Sequence, residues 1–338
     1  MSRPCSRFLL ACVLSTALAP FAAATESAPH FHLAGHIAGP DGLWDYASVD
    51  APARRLYVAK AGGIMAIDLA TGTVTPRLFV SPVVHHVLPI GGARLLVTTG
   101  DSNKVVLLDG VTGKVIATMP TGDEPDSVAY DAQTGLAITF NRRGHDTTIF
   151  DVGKTTVVGG FKLPGHPEFA VADGSGLVYV NITDRSEIAV IDLAKGAITR
   201  TIALPGCEEP TGLALDTLSG LLLSACDNGV AKVVTVRGKE VASLTIGKAP
   251  DAAFIDTRRR LAFIPGGDDG TLTVISLADP TSICVIQRVN TMRSARTGAV
   301  DPDTGTVYLP AGKLIPPVAP AKWPTVVPGS FEILVVAR

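Results

Sequence analysis

The stretch AYDAQTGLAITF, residues 129–140, decides the fold. It reads as a short apolar strand ending at Asp131, a polar turn, and a second apolar strand. An aspartate suits the end of such a strand, because its carboxylate accepts backbone N–H groups of the turn that follows. The same design recurs as SVDAPARRLYVA (48–59), VADGSGLVYVNI (171–182), ALDTLSGLLLSA (214–225), FIDTRRRLAFIP (254–265) and AVDPDTGTVYLP (299–310). The aspartates are Asp50, Asp131, Asp173, Asp216, Asp256 and Asp301, spaced by 81, 42, 43, 40 and 45 residues. The interval of 81 holds one more copy, VLPIGGARLLVTT (87–99), with Ile90 in the aspartate's place. A self-similarity of this period is the mark of a repeat architecture.

Working outward from each pair of strands, a third follows as IMAIDLATG, VVLLDGVTG, TTIFDVGKT or IAVIDLAKG, and a fourth as VIATMPTG or ITRTIALPG. Four short strands per repeat with turn signals between them read as the blades of a β-propeller. No repeat contains a sustained 3.6-residue apolar period, which argues against a helical solenoid. The prediction is an all-β, seven-bladed β-propeller with four-stranded blades. The last repeat is one strand short, and HFHLAGHIAG (30–39) matches the missing one. An N-terminal strand completing the last blade would close the ring and remove its open edges.

The 338-residue chain is 46% hydrophobic and 18% charged. Arg3 and Arg7, the apolar run from Phe8 to Leu18 and the small residues Ala22 to Ala24 predict a signal peptide over 1–24, leaving 25–338 as the propeller. The expected location is the periplasm or the extracellular space. No later run is long and apolar enough for a membrane span. The formal charge is −2, with no basic footprint of a nucleic-acid binder. The expected form is a monomer that meets a small-molecule ligand or a protein partner.

Cys207, Cys226 and Cys284 lie outside the signal segment. Cys207 opens the fifth repeat and Cys226 ends its second strand, and antiparallel pairing brings those ends together. A Cys207–Cys226 disulfide is therefore predicted, with a pair of thiols binding a soft metal beside His85 as the alternative. Cys284 reads as a buried strand residue. The TRRR turn, Arg258–Arg260, reads as solvated.

In a propeller the first strand of each blade lines the central channel. The position five residues before each repeat aspartate opens that strand, and holds Asp45, His85, Asp126, Glu168, Thr211, Asp251 and Arg296. Seven polar side chains should therefore ring one mouth of the channel. Four crowded carboxylates repel one another unless protons or cations intervene. Asp45, Asp126, Glu168 and Asp251 are accordingly candidate metal ligands, for Ca²⁺ or Mg²⁺ before Zn²⁺. His85 is a candidate general acid or base and Arg296 a candidate anchor for an anionic group. Thr211, Asn141, Asn181 and Trp44 are candidate ligand contacts on the same face, with Asp227 and Asn228 just outside. The segment PAGKLIPPVAPAKWPTVVPG (310–329) is a proline-rich insert in the last blade, expected to be stiff and able to roof the mouth with Trp323. No G-x-S-x-G, H-E-x-x-H, phosphate loop or CxxCH motif occurs.

The repeats, and LWDYASVD, PEFAVADGSGLVYVNITDRSEI, CEEPTGLALD and the closing VPGSFEILVVAR in particular, resemble the YVTN-type seven-bladed propeller proteins, exported bacterial proteins with repeats of about forty residues. The resemblance covers nearly all of the predicted mature chain and implies the fold, but not an activity. APDAAFID and EPDSVAYD, with Asp251 and Asp126, also resemble the carboxylate metal site of gluconolactonase and regucalcin propellers, although those usually have six blades. Three functions follow: a binding protein holding a ligand, with or without a cation, at the ring; a metal-dependent hydrolase or lyase of lactonase type; and a protein-interaction scaffold.

Overall fold

Six of the seven repeats fold as antiparallel four-stranded sheets whose strands pair in chain order. The blades span 44–79, 87–120, 125–159, 167–203, 210–245 and 254–290. The computed structural model describes residues 30–338, so the predicted signal segment lies outside the described residues. The second and third strands of each blade are almost continuously apolar, as in Leu177–Ile182 and Glu187–Asp192, because neighbouring blades cover both their faces. One interblade cluster packs Leu96, Leu107 and Met119 of blade 2 against Val128, Ala137 and Phe150 of blade 3. Burying each such side chain contributes about 1.5–3 kcal/mol. The fourth strands, such as Thr156–Gly159, face solvent.

The seventh blade joins the two ends of the described chain. Ala299–Val300, Val307–Ala311 and Glu332–Ala337 supply its inner three strands, and His32–Ala38 pairs antiparallel with Glu332–Ala337 as the outer one. Phe31 is fully buried and meets Phe263 of blade 6 edge-on, with ring centroids 5.3 Å apart. Gln287 of blade 6 clamps the backbone of Phe31 from both sides: its Oε1 accepts from Phe31 N at 2.8 Å and its Nε2 donates to Phe31 O at 2.7 Å.

The repeat aspartates organise their turns as expected, and three of them, Asp131, Asp216 and Asp301, also staple one blade to the next. Asp131 accepts Thr134 N at 2.8 Å within its own turn and Gly176 N of blade 4 at 2.9 Å. Asp216 accepts from Arg260 of blade 6 at 2.6 Å, and Asp301 from Arg54 of blade 1 at 2.8 Å. The TRRR turn is thus more than solvated surface, since Arg259 and Arg260 neutralise the fully buried Asp256 and Asp216. Blade 1 lacks this staple. Asp50 is buried and its Oδ2 has no partner, because Ala93 stands where Arg54 and Arg260 stand in their blades. All three residues precede a second strand in the left-handed region, with φ of 53° for Ala93, 50° for Arg54 and 56° for Arg260. An Ala93→Arg variant should therefore supply the missing partner without new backbone strain. A charge-assisted bond to a buried carboxylate contributes about 1.5–3 kcal/mol. A melting temperature raised by a few degrees is expected, and an unchanged or lowered one would refute the equivalence.

Cys207 and Cys226 form a disulfide, with Cα atoms 5.4 Å apart and a sequence separation of 19. Closing a loop of this length contributes about 3 kcal/mol in the chain-entropy model. The thiol–metal alternative is thereby excluded. Cys284 is exposed rather than buried, because it opens the outermost strand of blade 6, where side chains alternate toward solvent. Among the described residues no helix is long and apolar enough to cross a membrane.

Candidate functional site

Proline and a break in pairing place the ring residues. Pro125, Pro167, Pro210 and Pro250 stand just before Asp126, Glu168, Thr211 and Asp251. Proline is tolerated at a strand's first residue, where its missing N–H breaks no ladder. In blades 1, 3, 4 and 5 the pairing of the first and second strands shifts at the ring residue. An unpaired residue in such a bulge has its side chain re-aimed out of the sheet. In blades 2, 6 and 7 the first strand begins only after His85, Asp251 and Arg296.

A belt of interblade bonds then fixes the ring backbone. In order round the mouth, Tyr46 N donates to His85 O (3.2 Å), Thr98 Oγ1 to Asp126 O (2.7 Å) and Ser127 Oγ to Glu168 O (2.6 Å). Asn181 Nδ2 donates to Thr211 O (3.0 Å), Thr211 Oγ1 to Pro250 O (2.6 Å), Asp251 N to Arg296 O (3.1 Å) and Thr297 Oγ1 to Asp45 O (2.9 Å). Every junction between neighbouring blades carries one such bond, so the ring is pre-set by the scaffold.

Thr211 spends its hydroxyl in this belt, and the other six ring side chains fall into three groups. His85 Nδ1 lies 2.7 Å from Asp45 Oδ2 and 3.5 Å from Asp126 Oδ1. One ligand atom from each of these three residues lies within 4.8 Å of the other two, close enough to hold a metal ion. Gly100 makes room for the imidazole, since a Cβ there would sit 2.6 Å from His85 Nε2. Arg296 Nε donates to Asp251 Oδ2 at 2.8 Å and Arg296 Nη2 to Trp44 O at 3.3 Å. Glu168 accepts from Tyr46 Oη at 2.9 Å. Of the four carboxylates expected to share a cation, Asp45 and Asp126 therefore join His85, while Asp251 turns to Arg296 and Glu168 to Tyr46.

The charges follow from burial and neighbours. Burial works against the imidazolium of His85, but the Asp45 hydrogen bond and the charges of Asp126 and Asp45 outweigh it and raise its pKa to about 9. Burial, reinforced by Asp45 against the pull of His85, raises Asp126 to about 6. Burial also holds Glu168 well above its ordinary value, reinforced by Asp126 and Asp251 and opposed in part by Arg142 and Tyr46. Asp126 is 3% exposed, and among the described residues its carboxylate accepts no hydrogen bond from the protein. A buried carboxylate so poorly paired is costly unless a cation supplements His85.

Below the ring, Tyr46, His86 and Phe169 converge, with ring centroids 4.7 Å apart for Tyr46–Phe169, 5.2 Å for His86–Phe169 and 5.3 Å for Tyr46–His86. The corresponding positions of the other blades hold Ser127, Gly212, Ala252 and Thr297. Three large rings opposite four small residues floor the mouth, making a cup.

The remaining candidates lie elsewhere. Asn141 is fully buried, its amide donating to Asp146 Oδ1 (2.8 Å) and Thr148 Oγ1 (3.1 Å). Asn181 is fully buried in the interblade belt and accepts Ser224 Oγ at 3.0 Å. Both brace the blades because the ends of the second strands are packed inside. Trp44 is buried against Phe331, centroids 5.3 Å apart, and offers the mouth only its carbonyl. The insert forms a small hairpin, Leu314–Ile315 with Thr325–Val326, whose base packs near Trp44, and Trp323 is 69% exposed. Tyr46, His86, Phe169 and Arg142 were missed. A bulky residue beside three ring positions was a usable signal for the first three; Arg142, in a loop after the second strand of blade 3, had none.

The arrangement makes the chain a seven-bladed propeller with a polar cup at one end of its channel. No protein-family model and no curated protein matches it. Among solved structures, it is similar to a chain in "Crystal Structure of Mitotic Checkpoint Complex" at 12% identity and TM-score 0.75, covering 98% of this chain and 99% of that one. It is similar to a chain in "Structure of U3-55K" at 10% identity and TM-score 0.75, covering 90% and 98%. A chain of Kuenenia stuttgartiensis hydrazine synthase gives 12% identity and TM-score 0.69 over 82% and 94%. At these identities the likeness concerns the fold alone.

Proposed function

We propose that the protein is an exported ligand-binding propeller that uses a divalent cation at the mouth of its channel, held by Asp45, His85 and Asp126. The observation that carries this reading is the mutual approach of those three ligand atoms around the buried carboxylate of Asp126, which has only a long ion pair, 3.5 Å, to His85 Nδ1. An imidazole nitrogen beside two carboxylate oxygens favours Zn²⁺ or Mn²⁺ over Ca²⁺ and Mg²⁺. His85 is protonated at neutral pH without metal, so a metal must displace that proton on binding. The floored cup leaves the remaining coordination positions facing the mouth, where a ligand oxygen is the natural occupant. Arg142, whose guanidinium makes no ion pair among the described residues, favours an anionic ligand there, whereas Arg296 is already paired with Asp251.

This reading is preferred to a lactonase-type enzyme on one ground. An imidazole that gives its Nδ1 lone pair to the cation carries its proton on Nε2 and has no lone pair left to accept another, so His85 cannot be the general base of such an enzyme. The test is calorimetric titration of the chelator-treated full chain with Zn²⁺, Mn²⁺, Ca²⁺ and Mg²⁺. One site per chain is expected for Zn²⁺ or Mn²⁺, weakened at least about tenfold by Asp126→Asn or His85→Ala. Absence of binding by the unaltered chain, or binding indifferent to both substitutions, would overturn it.

A further inference from the structure

Beneath the aromatic floor the channel opens into a cavity of about 480 Å³ that none of the seven ring residues lines. Its wall is built by all seven first strands and runs from Tyr46, His86 and Phe169 down to the residues just before the repeat aspartates, Val49 and Val300 among them. It therefore occupies the opposite half of the channel from the cup. The space exists because these strands carry small residues where they face it, as in Ala-Ser at 47–48, Ala172 and Gly298.

The chemistry of the wall is specific. Apart from His86, Tyr46 and Tyr130 its only polar side chains are Ser48 and Thr257; the rest are aliphatic, glycine, proline or phenylalanine. Channels open to water are costly to line in this way, because each exposed apolar group forgoes burial. Apolar cavities tend to stay dry and to take up apolar molecules. The volume lies within the roughly 300–1,000 Å³ of small-molecule sites. The turn arginines at that end, Arg54, Arg258, Arg259 and Arg260, are each already paired with an aspartate, so they offer no free charge to a ligand. One donor does remain at the closed end. His86 Nδ1 accepts Val128 N–H at 3.3 Å, which places the ring proton on Nε2, and among the described residues no protein group accepts from Nε2.

We propose that this lower chamber is a second binding site, separate from the cup, for an uncharged and largely apolar molecule carrying a carbonyl or ether oxygen that accepts from His86 Nε2–H at the aromatic floor. The ligand enters from the face of the repeat aspartates, because Tyr46, His86 and Phe169 close the other way.

The test uses the full chain and the neutral naphthalene ketone Prodan, whose emission shifts to the blue in apolar surroundings. Saturable binding at one site per chain is expected. Ser48→Phe and Ala172→Phe, on opposite sides of the chamber at half-buried positions, should each weaken it at least about tenfold by filling the space. Each variant is first checked by its circular dichroism melt, and either one that folds suffices. Asp126→Asn, in the cup, should leave Prodan binding unchanged, as should Trp323→Ala, the most exposed aromatic of the insert. No saturable binding, binding that survives a folded chamber variant, or binding lost with Trp323 would each overturn the proposal. Loss with Asp126→Asn would likewise overturn it, by placing the probe in the cup.

Discussion

A chain that begins at Pro40, lacking the outer strand of the seventh blade, should fail to fold cooperatively. That strand pairs with Glu332–Ala337 from His32 to Ala38, and Phe31 before it fills the space between blades 6 and 7. Removing a buried phenylalanine side chain alone costs about 3–5 kcal/mol. Deletion also unpairs the edge of Glu332–Ala337, an apolar strand that would then invite aggregation. Against a total stability of about 5–15 kcal/mol, the combined loss is enough to unfold the ring. Circular dichroism melts and size-exclusion chromatography decide it. A truncated chain that stays monomeric and melts within a few degrees of the intact one would show that the ring holds without its clasp. Phe31→Ala in the full-length chain provides the graded version, a folded protein with a clearly lowered melting temperature.

Glu168→Gln should stabilise the chelator-treated protein at pH 8 and leave it nearly unchanged at pH 4. The carboxyl is 8% exposed, and burial followed by the charges of Asp126 and Asp251 raises its pKa well above the ordinary value of 4.5. A carboxyl whose pKa is raised by folding gives its stabilisation in full below its unfolded value. That stabilisation is lost as the pH climbs from there toward the folded value. Each unit of difference corresponds to about 1.4 kcal/mol. Glutamine keeps the acceptor for Tyr46 Oη, carries no charge at any pH, and so escapes the loss. The difference in melting temperature between variant and parent should therefore grow from pH 4 to pH 8 in the variant's favour. A flat difference, or one of opposite sign, would mean that Glu168 is ionised in the fold and that the cup's charge balance is other than described. Restoring the metal should leave the sign intact, since Glu168 is bonded to Tyr46 and not to the cation cluster.

The propeller was legible because its determinants are local and repeated. Strand, aspartate, turn and strand recur at a nearly constant interval, and apolar second and third strands announce sheets covered on both faces. The closing strand followed from the strand missing in the last repeat, and the pairing of Cys207 with Cys226 from antiparallel geometry. The ring positions could be counted off from the repeat aspartates, since the first strands have nearly constant length. Cys284 was misread because composition cannot distinguish the outermost strand of a blade from the inner ones.

What each ring side chain does was decided only in three dimensions. Asp45, His85 and Asp126 come from neighbouring blades, some forty residues apart, and their partnership depends on how three bulged or late-starting strands aim them. Asp251 turns to Arg296 across the junction of blades 6 and 7, and Glu168 of blade 4 meets Tyr46 of blade 1 across the channel, choices of partner that depend on side-chain direction and not on spacing. Asn141 and Asn181, polar and therefore candidate ligand contacts, lie inside the packed blades and satisfy themselves there. The aromatic floor, and with it the division of the channel into a polar cup and an apolar chamber, depends on Tyr46, His86 and Phe169 meeting from three blades. By itself, then, the sequence determined the number of blades, their closure and the seven positions that open the first strands, through short-range patterns of period two and about forty. The tertiary structure decided which of those residues touch, and thereby their charge, because electrostatic and packing energies depend on distances between segments far apart in the chain.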